Sequence, residues 1–118
     1  MEMISPYVFI GLKTKEQREI ESLKRGSFVG VIIKTICNTL EIEITALKSS
    51  KRTRELSEAR SIAIGLILDK CPDYGLKRLG KVFNRDHSTI LYQREMFSNL
   101  YTKDKVYTRK VNKVLAKL

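Results

Sequence analysis

Apolar residues recur at helical spacing along most of the chain. Between residues 28 and 40, and again over residues 55–70, they return every three or four positions, and this period predicts helices with one buried face. The same pattern predicts a short helix over residues 76–83, a longer one from Asp86 or His87 to about Tyr101, and a last one over residues 104–117. We therefore expect an all-α helical bundle. The residues expected to face its core are Val29, Ile32, Ile33, Ile36, Cys37, Leu40, Ile62, Ala63, Leu66, Ile67, Leu76, Leu79, Phe83, Ile90, Leu91, Phe97, Leu100, Val106, Val111, Val114 and Leu115.

The start of the chain follows a different pattern. Residues 1–12 show no period and are expected to form an extended arm. Thr14 is expected to cap a short, charged helix that ends near Gly26, because threonine is a favoured N-cap and glycine often ends helices. We therefore predict two parts, residues 1–27 and residues 28–118.

Two polar segments separate the later helices. Residues 48–54 follow a single helical turn at Thr45-Ala46-Leu47 and are expected to form a basic loop. Residues 71–75 are expected to form a turn, in which Pro72 stops the preceding helix and Gly75 is free to adopt a positive φ.

Length and cysteine content narrow the class of protein. The chain has 118 residues, enough for one domain with a core of its own. It shows no apolar stretch of bilayer length and no secretory signal, so we expect a cytoplasmic protein without a membrane partner. Cys37 and Cys71 stand alone on apolar faces and are expected to be reduced core thiols. With one histidine and two scattered cysteines, the chain lacks the ligands of a structural zinc site. We expect neither a metal nor another cofactor, and no small-molecule substrate.

The charge is distributed unevenly along the chain. Residues 1–47 carry six basic and six acidic side chains, whereas residues 48–118 carry seventeen basic and seven acidic ones, so the whole net charge of +10 lies in the second part. A one-sided basic field attracts polyanions, either nucleic acid or an anionic membrane surface.

Residues 76–100 combine a short helix, a tight turn and a second helix, which is the pattern of a helix-turn-helix. The run Phe83-Asn84-Arg85-Asp86-His87-Ser88-Thr89 lies at the turn and holds the only histidine. It places short polar side chains at the start of the second helix, where a DNA-reading helix carries its base contacts. Many helical hairpins have only a structural role. The side chains at the turn therefore decide between a structural hairpin and a DNA-binding helix-turn-helix.

The segment Arg85-Asp86-His87-Ser88-Thr89-Ile90-Leu91 resembles the signature of the DNA-binding domain of DnaA, the bacterial chromosomal replication initiator. The family carries Gly-Gly-Arg-Asp-His, then Ser or Thr, then Thr and Val. Further similarities lie in Lys51-Arg52-Thr53-Arg54, in Glu58-Ala59-Arg60-Ser61-Ile62-Ala63 and in Leu76 to Phe83, so that the resemblance covers roughly residues 29–118. It implies the fold of DnaA domain IV, similar to that of the Trp repressor.

The resemblance implies a role for each matching residue. Arg52 matches an arginine that enters the minor groove, and Asp86, His87 and Ser88 match positions that contact base edges in the major groove. Contacts with the DNA backbone are implied for Arg60, Lys77, Arg85 and Thr89. Other roles remain open for four of these residues. Asp86 can serve only as a helix N-cap, and Arg85 can form a local ion pair with it. His87 can be an ordinary surface residue, and Lys77 can belong to a solvated face.

The sequence departs from the family at four places. Asn84 alone replaces the two glycines, and asparagine tolerates the left-handed conformation that such a turn needs. Ser61 replaces a glutamine that follows Arg60, and Tyr92-Gln93-Arg94-Glu95-Met96 differs from a stretch that contains His-Ala. The chain also lacks the loop Gly-x-x-x-x-Gly-Lys-Ser/Thr, so we expect a free-standing domain without ATPase activity, of a kind that a phage or mobile element could carry.

These observations predict sequence-specific binding of double-stranded DNA, in replication or its regulation. The alternative is an interaction protein, in which residues 1–40 bind a replication or regulatory protein and the helix-turn-helix is a scaffold. Catalysis is not expected, since Asp86, His87 and Ser88 are neighbours on one helical turn and cannot adopt the geometry of a hydrolase triad. RNA binding is disfavoured because the stacking aromatics and glycine-rich loops of RNA modules are absent.

Overall fold

The computed structural model describes the backbone of residues 15–118 and the side chains of residues 28–118. This part of the chain is all-α and contains no strand. Its helices are α1 (Lys15–Leu40), α2 (Ile44–Leu47), α3 (Arg54–Lys70), α4 (Leu76–Phe83), α5 (His87–Lys103) and α6 (Lys105–Lys117), with a 3₁₀ turn at Pro72–Tyr74 between α3 and α4. The expected arm and the Thr14 cap lie outside the described residues.

Helix α3 lies at the centre of the bundle. It packs against α1 on one side and α5 on the other, while α6 contacts both α1 and α5. Almost every residue of α3 from Leu56 to Ile67 is buried, as is usual for a helix enclosed by others. The predicted inner face of Ile62, Ala63, Leu66 and Ile67 is confirmed.

Close approach of α3 and α5 depends on Gly65. A Cβ atom at this position would lie 2.2 Å from the Phe97 ring of α5. That ring stacks on Tyr101 and meets Tyr107 of α6 edge-on, with centroids 5.4 Å and 6.3 Å apart. The aromatic cluster therefore fixes the far end of α5, whose beginning carries the predicted DNA contacts.

Helix α1 corrects the prediction of a break near Gly26. The helix runs without interruption from Lys15 to Leu40 and crosses the predicted boundary at residues 27 and 28. A glycine inside a helix costs about 1 kcal/mol relative to alanine, but it does not end the helix by itself. The apolar residues over 28–40 hold this helix on the core, as their spacing predicts.

Helix α6 corrects the prediction for Val106, which is 58% exposed. The buried face consists of Tyr107, Val111 and Val114, which recur at i, i+4 and i+7. Val106 is one position out of this register, and Tyr107 takes the buried place instead. Leu91 of α5, which the helical spacing also assigns to the core, is only half-buried.

Both cysteines lie in the core, as predicted. Burial raises the pKa of the Cys37 thiol above its usual value, which favours the unreactive protonated form. Gly75, at the start of α4, has φ of 87°, and the prediction of a positive φ there is confirmed.

Candidate nucleic-acid interface

Helices α4 and α5 form the predicted helix-turn-helix. Asn84 adopts the left-handed conformation, with φ 53° and ψ 48°. The backbone N–H of Arg85 donates to the Gly80 carbonyl at 2.8 Å and that of Asn84 to the Lys81 carbonyl at 3.4 Å, which together form a Schellman motif. The prediction that asparagine alone can make this turn is confirmed.

Gly80 is needed for the same turn. A Cβ atom at this position would lie 2.7 Å from the Arg85 carbonyl oxygen, which is closer than packed atoms approach. The absence of a side chain at Gly80 therefore lets the chain fold back tightly between α4 and α5.

Asp86 caps the N-terminus of α5. Its Oδ1 accepts hydrogen bonds from the Thr89 backbone N–H at 2.8 Å and from the Ser88 hydroxyl at 3.0 Å. These contacts hold the pKa of the Asp86 carboxyl below its usual value. The capping role is thus observed. The side chain is nevertheless exposed, so the carboxylate stays accessible from outside the protein.

His87 and Ser88 lie in the first turn of α5 and are exposed, whereas Thr89 is half-buried. Short polar groups at this place suit the reading of base edges. Their position matches the sequence prediction, and their contacts with bases remain a prediction.

The basic loop spans residues 48–53 in the structure, because α3 begins at Arg54. It is folded around the guanidinium group of Arg60. Nε donates to the Leu47 carbonyl at 2.7 Å, and Nη1 donates to the Lys51 carbonyl at 2.6 Å. Nη2 donates to the carbonyls of Ala46 at 3.2 Å and Ser49 at 2.8 Å. Four of the five N–H donors of an arginine are therefore occupied by backbone oxygens.

This geometry argues against the predicted contact between Arg60 and a DNA phosphate. The residue is 3% exposed, and burial, followed by the nearby charge of Arg85, lowers the pKa of its guanidinium. We assign Arg60 instead the task of shaping the loop that carries Arg52. The arginine pattern alone could not distinguish these roles, because both use the same donors.

Arg85 fastens the basic loop to the helix-turn-helix. Its Nη2 donates to the same Ser49 carbonyl that Arg60 contacts. Its Nη1 donates to the carbonyls of Phe83 at 3.1 Å and Asn84 at 3.2 Å. The guanidinium bonds carbonyl oxygens rather than the neighbouring Asp86, so the local ion pair considered from the sequence is not formed.

Two clefts flank the beginning of α5 and together contain all eight predicted site residues. The loop cleft lies between the basic loop, α3 and α5, and its lining includes Arg52, Arg60, Arg85, Ser88 and Thr89. The turn cleft lies between α4 and the start of α5, and its lining includes Lys77, Arg85, Asp86 and His87.

The sequence pattern does not predict the positions of three residues of this region, Ser61, Tyr92 and Gln93. Ser61, which stands where the family has a DNA-facing glutamine, is fully buried. Its hydroxyl lies 2.7 Å from the Tyr107 hydroxyl, and burial raises the pKa of Tyr107 to about 12. Tyr92 and Gln93 line the loop cleft, and the signal for them in the sequence is their departure from the family pattern.

No group of three His, Cys, Asp or Glu side chains within residues 28–118 could hold a metal ion. Within the described helices, none is long and apolar enough to cross a membrane.

The fold and this surface define a DNA-binding helix-turn-helix protein. The family model described as the bacterial DnaA protein helix-turn-helix matches residues 29–96, more than half of the chain's 118 residues. The chain belongs to this family, and the resemblance seen in the sequence is confirmed. The matched segment, residues 29–96, is therefore a DNA-binding module.

Similar proteins carry the name chromosomal replication initiator protein DnaA. The one from Thermodesulfovibrio yellowstonii is 28% identical over 116 residues, which cover 98% of this chain and 25% of the relative. The one from Thermoanaerobacter sp. strain X514 is 30% identical over 98 residues, or 82% of this chain and 22% of the relative. The one from Rippkaea orientalis is 37% identical over 75 residues, or 63% and 16%. The chain spans a quarter or less of the length of these relatives.

Proposed function

We propose that the protein binds double-stranded DNA in a sequence-specific way, with α5 in the major groove and Arg52 in the adjacent minor groove. One observation carries this proposal: the exposed polar first turn of α5 and the loop that bears Arg52 are joined through Arg85. Two recognition elements held at a fixed distance suit two neighbouring grooves.

In the major groove, His87 and Ser88 are the proposed base-reading residues, together with Asp86. The exposed carboxylate of Asp86 can accept from a cytosine amine, His87 can reach a purine or thymine edge, and Ser88 can serve as donor or acceptor. The cap and the proposed base contact of Asp86 are compatible because a carboxylate accepts several hydrogen bonds at once.

In the minor groove and along the backbone, the proposed contacts are positively charged or hydroxyl groups. Arg52 is exposed on the basic loop, and an arginine suits a narrow A·T-rich groove because negative potential concentrates there. Lys77, exposed on α4, is proposed to contact phosphate, as are Thr89 and the outer face of Arg85. These contacts would make affinity depend strongly on salt.

The proposed process is DNA replication initiation or its regulation. The relatives' name supports this, since each is called a chromosomal replication initiator protein. We propose a cytoplasmic location for the same reason, and residues 28–118 as the DNA-binding unit.

Selection of bound duplexes from a random DNA pool at about 150 mM salt tests the proposal, because non-specific binding is weak there. We expect one enriched motif. On a duplex with that motif, His87→Ala should relax preference at one base pair, at a cost of about 1–3 kcal/mol. Lys77→Ala is the matched control and should weaken binding to all sequences alike. No enriched motif, or equal losses on specific and random duplexes for His87→Ala, would refute base reading.

The second candidate is a protein-interaction role for residues 1–40. The observation that favours it is Val31, an apolar side chain of α1 that is 45% exposed. A partner retained after nuclease treatment, and equally by His87→Ala, would support this role. Loss of the partner on nuclease treatment would contradict this role, because it would show that the two proteins are held together only by DNA that both bind.

A further inference from the structure

Gln93 is a buried polar residue at the bottom of the loop cleft. It is 8% exposed, and its Oε1 is buried without a hydrogen-bond partner among the described residues. Buried polar side chains in proteins are nearly always hydrogen-bonded, since an unpaired one lowers stability. A buried amide that lines a cleft and has an unpartnered oxygen therefore points to a ligand in that cleft.

The chemistry of the cleft indicates an anion. Arg52, Arg60 and Arg85 line it, and no Asp or Glu does. None of the three guanidinium groups forms an ion pair within residues 28–118. The acceptors of Arg60 and Arg85 are neutral carbonyls, so the positive charge at this place is not compensated.

Tyr92 adds a hydroxyl at the rim of the same cleft. Its side chain is 65% exposed, and it lies four residues after Ser88 on α5, so both occupy one side of the helix. Tyr92 thus continues the proposed DNA-facing side of α5 by one turn. An exposed phenol next to guanidinium groups can donate to an anionic oxygen.

We infer that the loop cleft binds one backbone phosphate of the DNA, and that Gln93 and Tyr92 are additional DNA-contacting residues. This inference rests on the proposed function. The Tyr92 hydroxyl donates to a phosphate oxygen, and Arg52 and Arg85 supply positive charge. The amide N–H group of Gln93, which is the donor of this side chain, donates to the phosphate oxygen. Both residues lie where the sequence departs from the family pattern, so this subsite is expected in this chain and not throughout the family.

Two variants test the inference on a duplex with the selected motif and on a random duplex. Gln93→Leu keeps the size of the side chain and removes the unpaired amide, so we expect an unchanged or higher Tm together with about tenfold weaker binding to both duplexes. Tyr92→Phe removes only the hydroxyl and should weaken both by several-fold. Tyr101→Phe, on the same helix outside the cleft, is the matched control and should bind like wild type.

A duplex series with one neutral methylphosphonate at each successive position identifies the phosphate. We expect the binding deficits of Gln93→Leu and Tyr92→Phe to disappear at the same single position, because the lost partner is then absent from both protein and DNA. Deficits that persist at every position would overturn the inference, as would variants that bind like wild type. So would a Gln93→Leu protein that loses stability but retains affinity when folded. Each of these outcomes overturns only the phosphate subsite, because wild type can still select a DNA motif. If wild type selects no motif, the proposed function is refuted as well.

Discussion

The helix-turn-helix and the basic loop present DNA-facing side chains from the same surface, but they are held in different ways. In the helix-turn-helix, the bonds are local: the Gly80 carbonyl is bonded by Arg85, five residues on, and the Asp86 carboxylate by Thr89, three residues on. In the basic loop, the bonds come from Arg60 and Arg85, which are 9 to 36 residues away from the loop carbonyls of Lys51 and Ser49.

This difference predicts different responses to mutation. A local motif forms wherever its few residues have the required conformations. A loop held by distant guanidinium groups depends on the packing of α3 and on the position of the turn before α5. The position of Arg52 therefore depends on the assembled fold. The position of His87 depends only on local contacts in the turn before α5.

The largest effect is expected for Arg60→Ala, which removes four hydrogen bonds, two to carbonyls at the end of α2 and two to carbonyls of the basic loop. We expect the free energy of unfolding, measured by urea denaturation, to fall by about 3 kcal/mol. Amide hydrogen exchange of residues 48–53 should accelerate, while the Thr89 amide in the Asp86 cap remains protected. DNA affinity of the folded protein should fall because Arg52 is no longer held in place.

Arg60→Lys is the control for charge. Lysine retains the positive charge but lacks the planar fork of donors, so we expect it to recover less than half of the lost stability. Full recovery would show that charge and not loop geometry is what Arg60 contributes. If amide hydrogen exchange in Arg60→Ala accelerates equally in the basic loop and at Thr89, the two regions are not held independently, and the comparison fails.

The comparison also explains what could be predicted from the sequence. The turn at Asn84, the start of α5 and the burial of Leu79 and Phe83 follow from local chemistry and helical spacing, and the predictions for them are confirmed. The burial of Arg60 does not follow in this way, because it depends on how residues 46–51 wrap around the guanidinium group. A sequence shows that an arginine is present but not which oxygens surround it.

The second effect concerns the turn. Gly80→Ala places a Cβ atom 2.7 Å from the Arg85 carbonyl oxygen, so the backbone between α4 and α5 must shift. Overpacking of this kind costs about 1–3 kcal/mol, and the better helix propensity of alanine offsets about 1 kcal/mol. We expect a net loss of about 1 kcal/mol in urea denaturation, together with weaker selection of the DNA motif.

Gly30→Ala is the matched control, since Gly30 is an exposed glycine of α1 and a Cβ atom added there would have no other atom within 4 Å. It should gain up to about 1 kcal/mol. A gain of the same size for Gly80→Ala would mean that the close approach to Arg85 does not constrain the turn.

Tertiary packing also decides the other points at which the sequence predictions are wrong. The adjacent positions of Val106 and Tyr107 allow either residue to face the core, and the buried Ser61 hydroxyl favours the tyrosine, which can bond it. Continuation of α1 through Gly26 likewise does not follow from a local pattern in which glycine usually marks an end.

The smallest effect concerns the pH dependence of the α5 cap. Because the Thr89 amide and the Ser88 hydroxyl lower the pKa of Asp86 in the folded state, the ionised cap stabilises the protein above the unfolded-state pKa, near pH 4. This stabilisation is lost as the pH falls through the lower, folded-state pKa. The Tm difference between wild type and Asp86→Ala should therefore be a few degrees at neutral pH and shrink below about pH 4.

Asp86→Asn is the control for charge, because it retains an uncharged cap. The Tm difference between Asp86→Asn and Asp86→Ala should stay nearly constant with pH. If the Tm difference between wild type and Asp86→Ala is equally constant with pH, the charge of Asp86 does not contribute to the cap. The cap would then act through hydrogen-bond geometry alone.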